Sequence, residues 1–216
     1  MHIIFLGPPG AGKGTQAKNL SEKFNIPHLS TGEILRKISN ENNAVGIKIK
    51  KIIAEGNLVS DRLTIDVVKH RIEMKDCQKG FIFDGFPRNI NQAENLNIIM
   101  NNKKKIINCV LHIDVPEEIL IKRITGREVC ENCSMTYNKY FNPFPKEGCS
   151  KCGSKKILIR SDDDLEAFKN VRLKKYREET LPLINFYMNK NILFTFQGTG
   201  NSGEISENIY KFLEKF

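Results

Sequence analysis

Apolar positions along this chain follow two different periods. His2–Leu6 (HIIFL), Phe81–Asp84 (FIFD), Asn108–Val115 (NCVLHIDV) and Asn191–Gln197 (NILFTFQ) are near-continuous apolar runs, and Ile26–Thr31 (IPHLST) supplies a shorter fifth. Runs of about four to eight β-prone residues, closed by turn residues, read as strands buried on both faces. Between them the spacing changes to three and four. In KGTQAKNLSEKF, Ala17, Leu20 and Phe24 recur at helical intervals, and PEEILIKRITGR places Pro116 at a helix start. Strands that alternate with helices predict an α/β fold, a parallel sheet covered on both sides.

Two stretches break the alternation. Residues 31–59 read as short helices between early strands, and residues 126–164 collect aromatics, glycines, Pro143, Pro145 and four of the six cysteines. Both are expected to be insertions at the ligand-facing end of one sheet, whose core would comprise residues 1–30, 60–125 and 165–216. No internal repeat and no low-complexity linker interrupts the chain.

Composition narrows the function classes. Of the 216 residues 40% are hydrophobic, a globular balance and not a disordered one. A net charge of +9 admits nucleic acid, a nucleotide or an acidic membrane as partner, although most of the lysines read as a solvated surface. No basic stretch is interleaved with aromatics as a single-strand binder requires. The N-terminal apolar run stops at Gly7, too short for the apolar region of a signal peptide. No segment approaches the ~20 apolar residues of a membrane span. A cytoplasmic, reducing location is the expectation, and there clustered cysteines favour a metal over disulfides.

Chemistry enters with GPPGAGKGT, Gly7–Thr15. Its G-x-x-x-x-G-K spacing, after a strand and before a helix, suits a loop whose backbone N–H groups surround phosphates; Lys13 adds a mobile charge and the following helix its positive end. Gly14 stands where the strict pattern has a hydroxyl, which comes instead from Thr15. Asp84 closes a neighbouring strand beside this loop, where a carboxylate can hold magnesium through water. In the stretch Cys130–Cys152 the cysteines follow C-x2-C-x15-C-x2-C, the spacing of a tetrahedral zinc site. Four thiolates leave no open position on the metal, so the zinc would hold and not react. Cys77 and Cys109 read as packing residues. His2, His28, His70 and His112 are scattered at no metal-binding spacing.

The runs GPPGAGKGTQA, STGEILR, GNLVSD, GFIFDGFPRNINQAE and IKRITGR resemble, in order, the successive motifs of adenylate kinase, and the cysteine stretch resembles the zinc-bearing lid of its long bacterial form. The resemblance implies a P-loop nucleoside-monophosphate kinase core, a helical monophosphate-binding insertion at 31–59 and a lid at 126–164. It implies ATP, AMP and ADP as partners, magnesium with the ATP and a structural zinc; nothing in the chain suggests an obligate dimer, and a monomer is the expectation. On the donor side it places Gly10, Ala11, Gly12, Lys13, Gly14, Thr15, Arg127, Thr136, Tyr137 and Gly200. On the acceptor side it places Thr31, Arg36, Asn57, Leu58, Val59, Gly85, Phe86, Pro87, Arg88 and Gln92, with Thr31, Val59 and Gln92 lining the base pocket. Arg36 and Arg88 would grip the acceptor phosphate, Arg123 and Arg127 the triphosphate. Arg160 and Arg172 would reach the transferring group and the acceptor as the lid closes.

Arginine suits such a site because its planar fork grips two oxygens at once, and phosphoryl transfer brings two anionic groups together. Three features depart from the family pattern. Glu33 replaces the usual aspartate, the gap from Arg160 to Arg172 is one residue longer than in many relatives, and which of Asp162, Asp163 and Asp164 fill the two acidic positions is left open. The rival readings are the same reaction on a uridylate or cytidylate acceptor and, from another class, a nucleotide-regulated nucleic-acid binder built on the zinc knuckle. DGFPR and the arginine set argue against the second, which has no need of another phosphate pocket.

Overall fold

A computed structural model describes residues 1–54, 59–159 and 163–215 of the chain. Its strands are β1 (His2–Leu6), β2 (His28–Ser30), β3 (Phe81–Asp84), β4 (Cys109–Asp114), β5 (Arg127–Cys130), β6 (Thr136–Asn138), β7 (Ile157–Leu158) and β8 (Leu193–Gln197). Its α-helices are α1 (Lys13–Phe24), α2 (Thr31–Ser39), α3 (Ala44–Ala54), α4 (Asp61–Ile72), α5 (Ile90–Asn102), α6 (Glu117–Thr125), α7 (Pro182–Met188) and α8 (Ser202–Leu213).

The five apolar runs form one parallel sheet in the order β2-β3-β1-β4-β8. Period two sorts their side chains. Ile3, Phe5, Ile82, Leu111 and Ile113 pack to one side with Leu20 of α1, Leu120 of α6 and Ile209 of α8. Ile4, Leu6, Phe81, Phe83 and Val110 pack to the other with Leu96 of α5 and Leu183 and Tyr187 of α7. Two buried faces explain why these strands show no polar alternation. Cys77 and Cys109 are fully buried in this packing.

Sheet order places the site. The chain leaves β1 toward β2 on one side and later returns to β4 on the other, and the crevice outside the carboxyl ends of strands at such a reversal is where α/β sheets bind ligands. Phe5 is in register with Asp84, so the glycine loop after β1 and the carboxylate ending β3 come out side by side.

Outside the central sheet, α2 and α3 meet on a small apolar cluster of Leu35, Ile49 and Val59. A second sheet, β6-β5-β7, is antiparallel and sits beside the four cysteines. No continuous apolar run marks its strands, which are two to four residues long. Between Ala167 and Thr180 the helix leading into α7 is wound in wide π-type turns, for example Leu181 N to Tyr176 O at 2.8 Å. Such turns are rare and accommodate extra residues within a helix. Among the described residues no helix is long and apolar enough to cross a membrane.

Candidate active site

Gly10 (φ 87°) and Gly12 (φ 93°) let the phosphate loop turn where a side chain would strain it. Gly12 also opens α1 without any side-chain cap, whereas Ser30, Asn89 and Asn201 cap α2, α5 and α8. The first N–H groups of α1 therefore face the cleft with no side-chain acceptor, the arrangement that favours an anion.

Lys13 folds back over the loop and donates to the carbonyls of Gly7 (2.8 Å) and Pro8 (2.9 Å). Burial lowers its pKa, Asp84 pulls it up, and Arg88, Arg172 and Arg127 press it down again, to about 8. The like charges gathered around one lysine amount to a site built for an anion. Asp84 is held in the opposite sense: burial would raise its pKa, but His28, Lys13 and Arg88 outweigh it and keep the carboxyl below its ordinary value. His28 Nε2 stands 3.5 Å from Asp84 Oδ2. A Cβ on Gly14 would come within 3.2 Å of the same oxygen, so the glycine that departs from the strict loop pattern keeps space open beside the carboxylate. An ionised carboxylate with room next to a phosphate loop fits a hydrated magnesium ion.

One cleft of about 1340 Å³ runs from this loop to α2. At one end it is lined by Gly10–Thr15, Arg123, Arg127, Thr136 and Gly200; at the other by Arg36, Val59, Gly85, Pro87 and Arg88; and Arg172 also borders it. Arg88 is fixed at three points: its Nε donates to Gly85 O (3.0 Å), its N–H to Gln92 Oε1 (2.8 Å), and its carbonyl accepts from Thr180 Oγ1 (2.7 Å). Asp163, which is buried, accepts from Arg172 Nη1 at 2.9 Å and lies 3.4 Å from Arg127 Nε. Asp163 thus gathers two cleft arginines.

Several of the expected site residues are engaged by groups of the protein itself. Thr31, Phe86 and Gln92 lie beneath the cleft surface. Thr31 is 2% exposed and its hydroxyl donates to Gly85 O (2.8 Å). Phe86 packs on Phe83 with ring centroids 5.4 Å apart, because an aromatic beside the β3 core gains more from burial than from the cleft. Gln92 gives an amide N–H to Asp61 Oδ1 (2.7 Å). Arg123, expected on the triphosphate, donates to Ala11 O (3.2 Å) and Gly198 O (2.7 Å), so it joins the phosphate loop to the segment before Gly200. Tyr137 borders the cleft, but its side chain packs in the cysteine cluster, where it is 3% exposed. Asn57, Leu58, Arg160 and Asp162 lie outside the described residues.

The cysteines converge as their spacing predicts. The sulfurs of Cys130, Cys133, Cys149 and Cys152 all lie within 4.8 Å of one another, with Cys130–Cys152 at 3.6 Å and Cys133–Cys149 at 3.5 Å. Metal–sulfur bonds of 2.3 Å in a tetrahedron put sulfurs about 3.8 Å apart, so the set fits a tetrahedral ion such as zinc. All four are free thiols here. A hydrogen bond from Tyr137, reinforced by backbone N–H groups and opposed by burial, lowers the Cys149 pKa to about 6, while Cys133 beside it is raised to about 12 against a Met135 backbone hydrogen bond, by burial and by its hydrogen bonds to Cys149, Cys152 and Cys130.

Three contributors to the site escaped the sequence reading: His28 beside Asp84, Asp61 under Gln92 and Thr180 under Arg88. The motif GNLVSD carries Asp61, but nothing in its spacing announces that it would gather amides from Asn89, Asn91 and Gln92.

Comparison with known proteins agrees with this geometry. The family model described as adenylate kinase matches residues 5–192. The adenylate kinase of Clostridium tetani (strain Massachusetts / E88) is 46% identical over 97% of this chain and 96% of its own length. That of Thermodesulfovibrio yellowstonii is 45% identical over 100% of both chains, as is that of Methanosarcina barkeri. With the phosphate loop, the strand-end carboxylate and the cysteine cluster in one fold, and full-length relatives well above chance identity, the chain belongs to the adenylate kinase family of nucleoside-monophosphate kinases.

Proposed function

We propose that the protein catalyses the magnesium-dependent, reversible transfer of the γ-phosphoryl group of ATP to AMP, giving two ADP. The observation that carries this reading is a single cleft with the Lys13 loop at one end and the Arg36–Arg88 pair at the other. A drug-sized ligand occupies a pocket of roughly 300–1,000 Å³, and this cleft is larger, with room for two nucleotides meeting at their phosphates.

The loop N–H groups and Lys13 hold the triphosphate; Arg36 and Arg88 hold the acceptor phosphate. An oxygen of AMP attacks the γ-phosphorus directly as the bond to the bridging oxygen of the leaving ADP breaks. No protein nucleophile is needed, and the protein's work is positioning and charge stabilisation. Arg127 and Arg172, brought together on Asp163, spread charge off the moving group, and Arg160 joins them by the family resemblance. Magnesium carried with the ATP would neutralise phosphate oxygens, and Asp84 is the residue that would hold its water shell.

Residues 31–59 and 126–164 act as the monophosphate-binding and lid insertions that close over the substrates, since water must be kept from the γ-phosphate. Zinc on the four cysteines orders the lid and takes no part in the chemistry. We expect a cytoplasmic monomer without a nucleic-acid partner.

A coupled assay of ADP formation with ATP and each monophosphate in turn tests the assignment. AMP should be strongly preferred over UMP, CMP and GMP. Equal turnover of UMP would transfer the assignment to a uridylate-type kinase.

A further inference from the structure

Tyr137 is a residue the family resemblance assigns to the nucleotide, and its side chain also packs in the cysteine cluster. β6 exposes Thr136, buries Tyr137 and half-buries Asn138. The Tyr137 ring lies in the cysteine cluster, edge-on to Phe144 at 4.9 Å between centroids. Its hydroxyl meets three groups there. It lies 3.3 Å from Cys149 Sγ and 2.9 Å from Ser150 Oγ, and it accepts the Ser150 N–H at 2.9 Å.

A phenolic hydroxyl has one proton to give and two lone pairs to fill. The Ser150 N–H fills one lone pair. If the Ser150 O–H fills the other, the Tyr137 proton goes to sulfur, and every group is satisfied. The opposite direction, Tyr137 to Ser150 Oγ, would leave the sulfur without this donor. A metal-bound Cys149 is a thiolate, and a charged acceptor draws the stronger hydrogen bond. The network therefore settles with the phenol donating to Cys149.

We propose that Tyr137 is a positioning residue of the metal centre, its hydroxyl serving as an outer-sphere donor to the Cys149 thiolate. The inference rests on the reading that the four cysteines hold a metal. Groups that hydrogen-bond to metal ligands fix ligand orientation and tune charge on the donor atom, and their loss typically lowers metal affinity about 10- to 100-fold. Phenylalanine at 137 keeps the ring and its packing on Phe144 while deleting only the donor.

The test compares full-length wild type with Tyr137→Phe, measuring zinc affinity by chelator competition and the visible spectrum after cobalt(II) substitution. The variant should bind zinc about 10- to 100-fold more weakly. Its sulfur-to-cobalt charge-transfer band should move to longer wavelength, because sulfur regains the electron density the hydrogen bond had withdrawn, while the tetrahedral d–d bands persist. A merely structural role for the ring would leave that band where it was. Equal affinity and an identical band in a metal-loaded variant would overturn the proposal and leave the metal reading standing. A wild type that binds neither zinc nor cobalt would overturn both. Should Tyr137→Phe fail to fold, Ser150→Ala decides: by removing the hydroxyl that polarises Tyr137 it should shift the same band in the same direction by less, and an unmoved band would refute the proposal.

Discussion

Lys13 offers a test in which the structure fixes both sign and size. With a pKa of about 8 in the ligand-free protein, the lysine holds its proton almost fully at pH 7 and has lost most of it by pH 9. A triphosphate between Lys13 and the loop N–H groups favours the charged form, so ATP binding must restore the proton. If only the protonated form binds well, the apparent Kd scales as 1 + 10^(pH − pKa), which predicts about a tenfold loss of ATP affinity from pH 7 to pH 9. At pH 8.5 binding should draw up about three-quarters of a proton per ATP. Calorimetric titration with magnesium–ATP in buffers of different ionisation enthalpy, with AMP omitted, measures both quantities.

Lys13→Arg, whose charge persists far above this range, should show neither slope nor uptake. Linkage gives a companion sign for stability. Between about pH 8 and the ordinary lysine value of 10.5 the unfolded chain holds this proton and the folded one does not, so Lys13 contributes stability that rises with pH across that window. Below it the burial of the charged amine is a standing cost. An ATP affinity flat from pH 7 to 9.5 with no proton uptake would refute the argument, for the lysine would then be fully charged before the ligand arrives.

Metal removal should lower the Tm by several degrees, each kcal/mol lost being worth about 2–4 °C in a chain of this size, with the magnesium requirement unchanged. Calorimetry with and without a chelator reads the first and a magnesium titration the second; lost chemistry in a protein whose 126–164 segment stays ordered would contradict a structural role. Arg88→Ala should reduce kcat by about 10²- to 10³-fold and raise the KM for AMP more than that for ATP, in steady-state assays varying each substrate. Gly85 has φ 81°, and a Cβ there would meet Thr31 Oγ1 at 3.1 Å and Arg88 Nη2 at 3.4 Å. Gly85→Ala should therefore destabilise by about 1–2 kcal/mol in urea melts, and it should weaken AMP binding while sparing ATP.

The central sheet was legible because its strands are buried on both faces and so read as apolar runs. The expected Ile26–Thr31, Asn108–Val115 and Asn191–Gln197 appear as β2, β4 and β8, shortened by two or three residues, since run ends share the composition of the turns beyond them. The small sheet β6-β5-β7 was illegible for the converse reason. Its strands are held by a cysteine cluster and turns, not by an apolar face of their own. The π-type turns before α7 were equally hidden, because residue types do not encode whether a helix closes at four residues or five.

Within the site, what the sequence carried was backbone-determined. The glycine loop, the strand-end Asp84 and the cysteine spacing are consequences of where the chain turns, and turns are written locally. What it did not carry was the partner each long side chain chooses. Arg123 has the charge and the location for a triphosphate yet donates to Ala11 and Gly198 carbonyls; Gln92 has the right amide for a base yet gives a proton to Asp61. Both choices follow from burial: a donor out of reach of water must find an acceptor whether or not a ligand is present. Asp61 accepts amides from Asn89, Asn91 and Gln92; burial would raise its pKa, and these three bonds outweigh it and bring the carboxyl below its ordinary value. A carboxylate so held fixes the Gln92 amide from below, and with it the Arg88 N–H that Gln92 accepts. The cleft arginines and the glutamine beneath them are therefore oriented by a layer whose members, Asp61, Asp163 and Thr180, touch them, and only the folded chain brings that layer together.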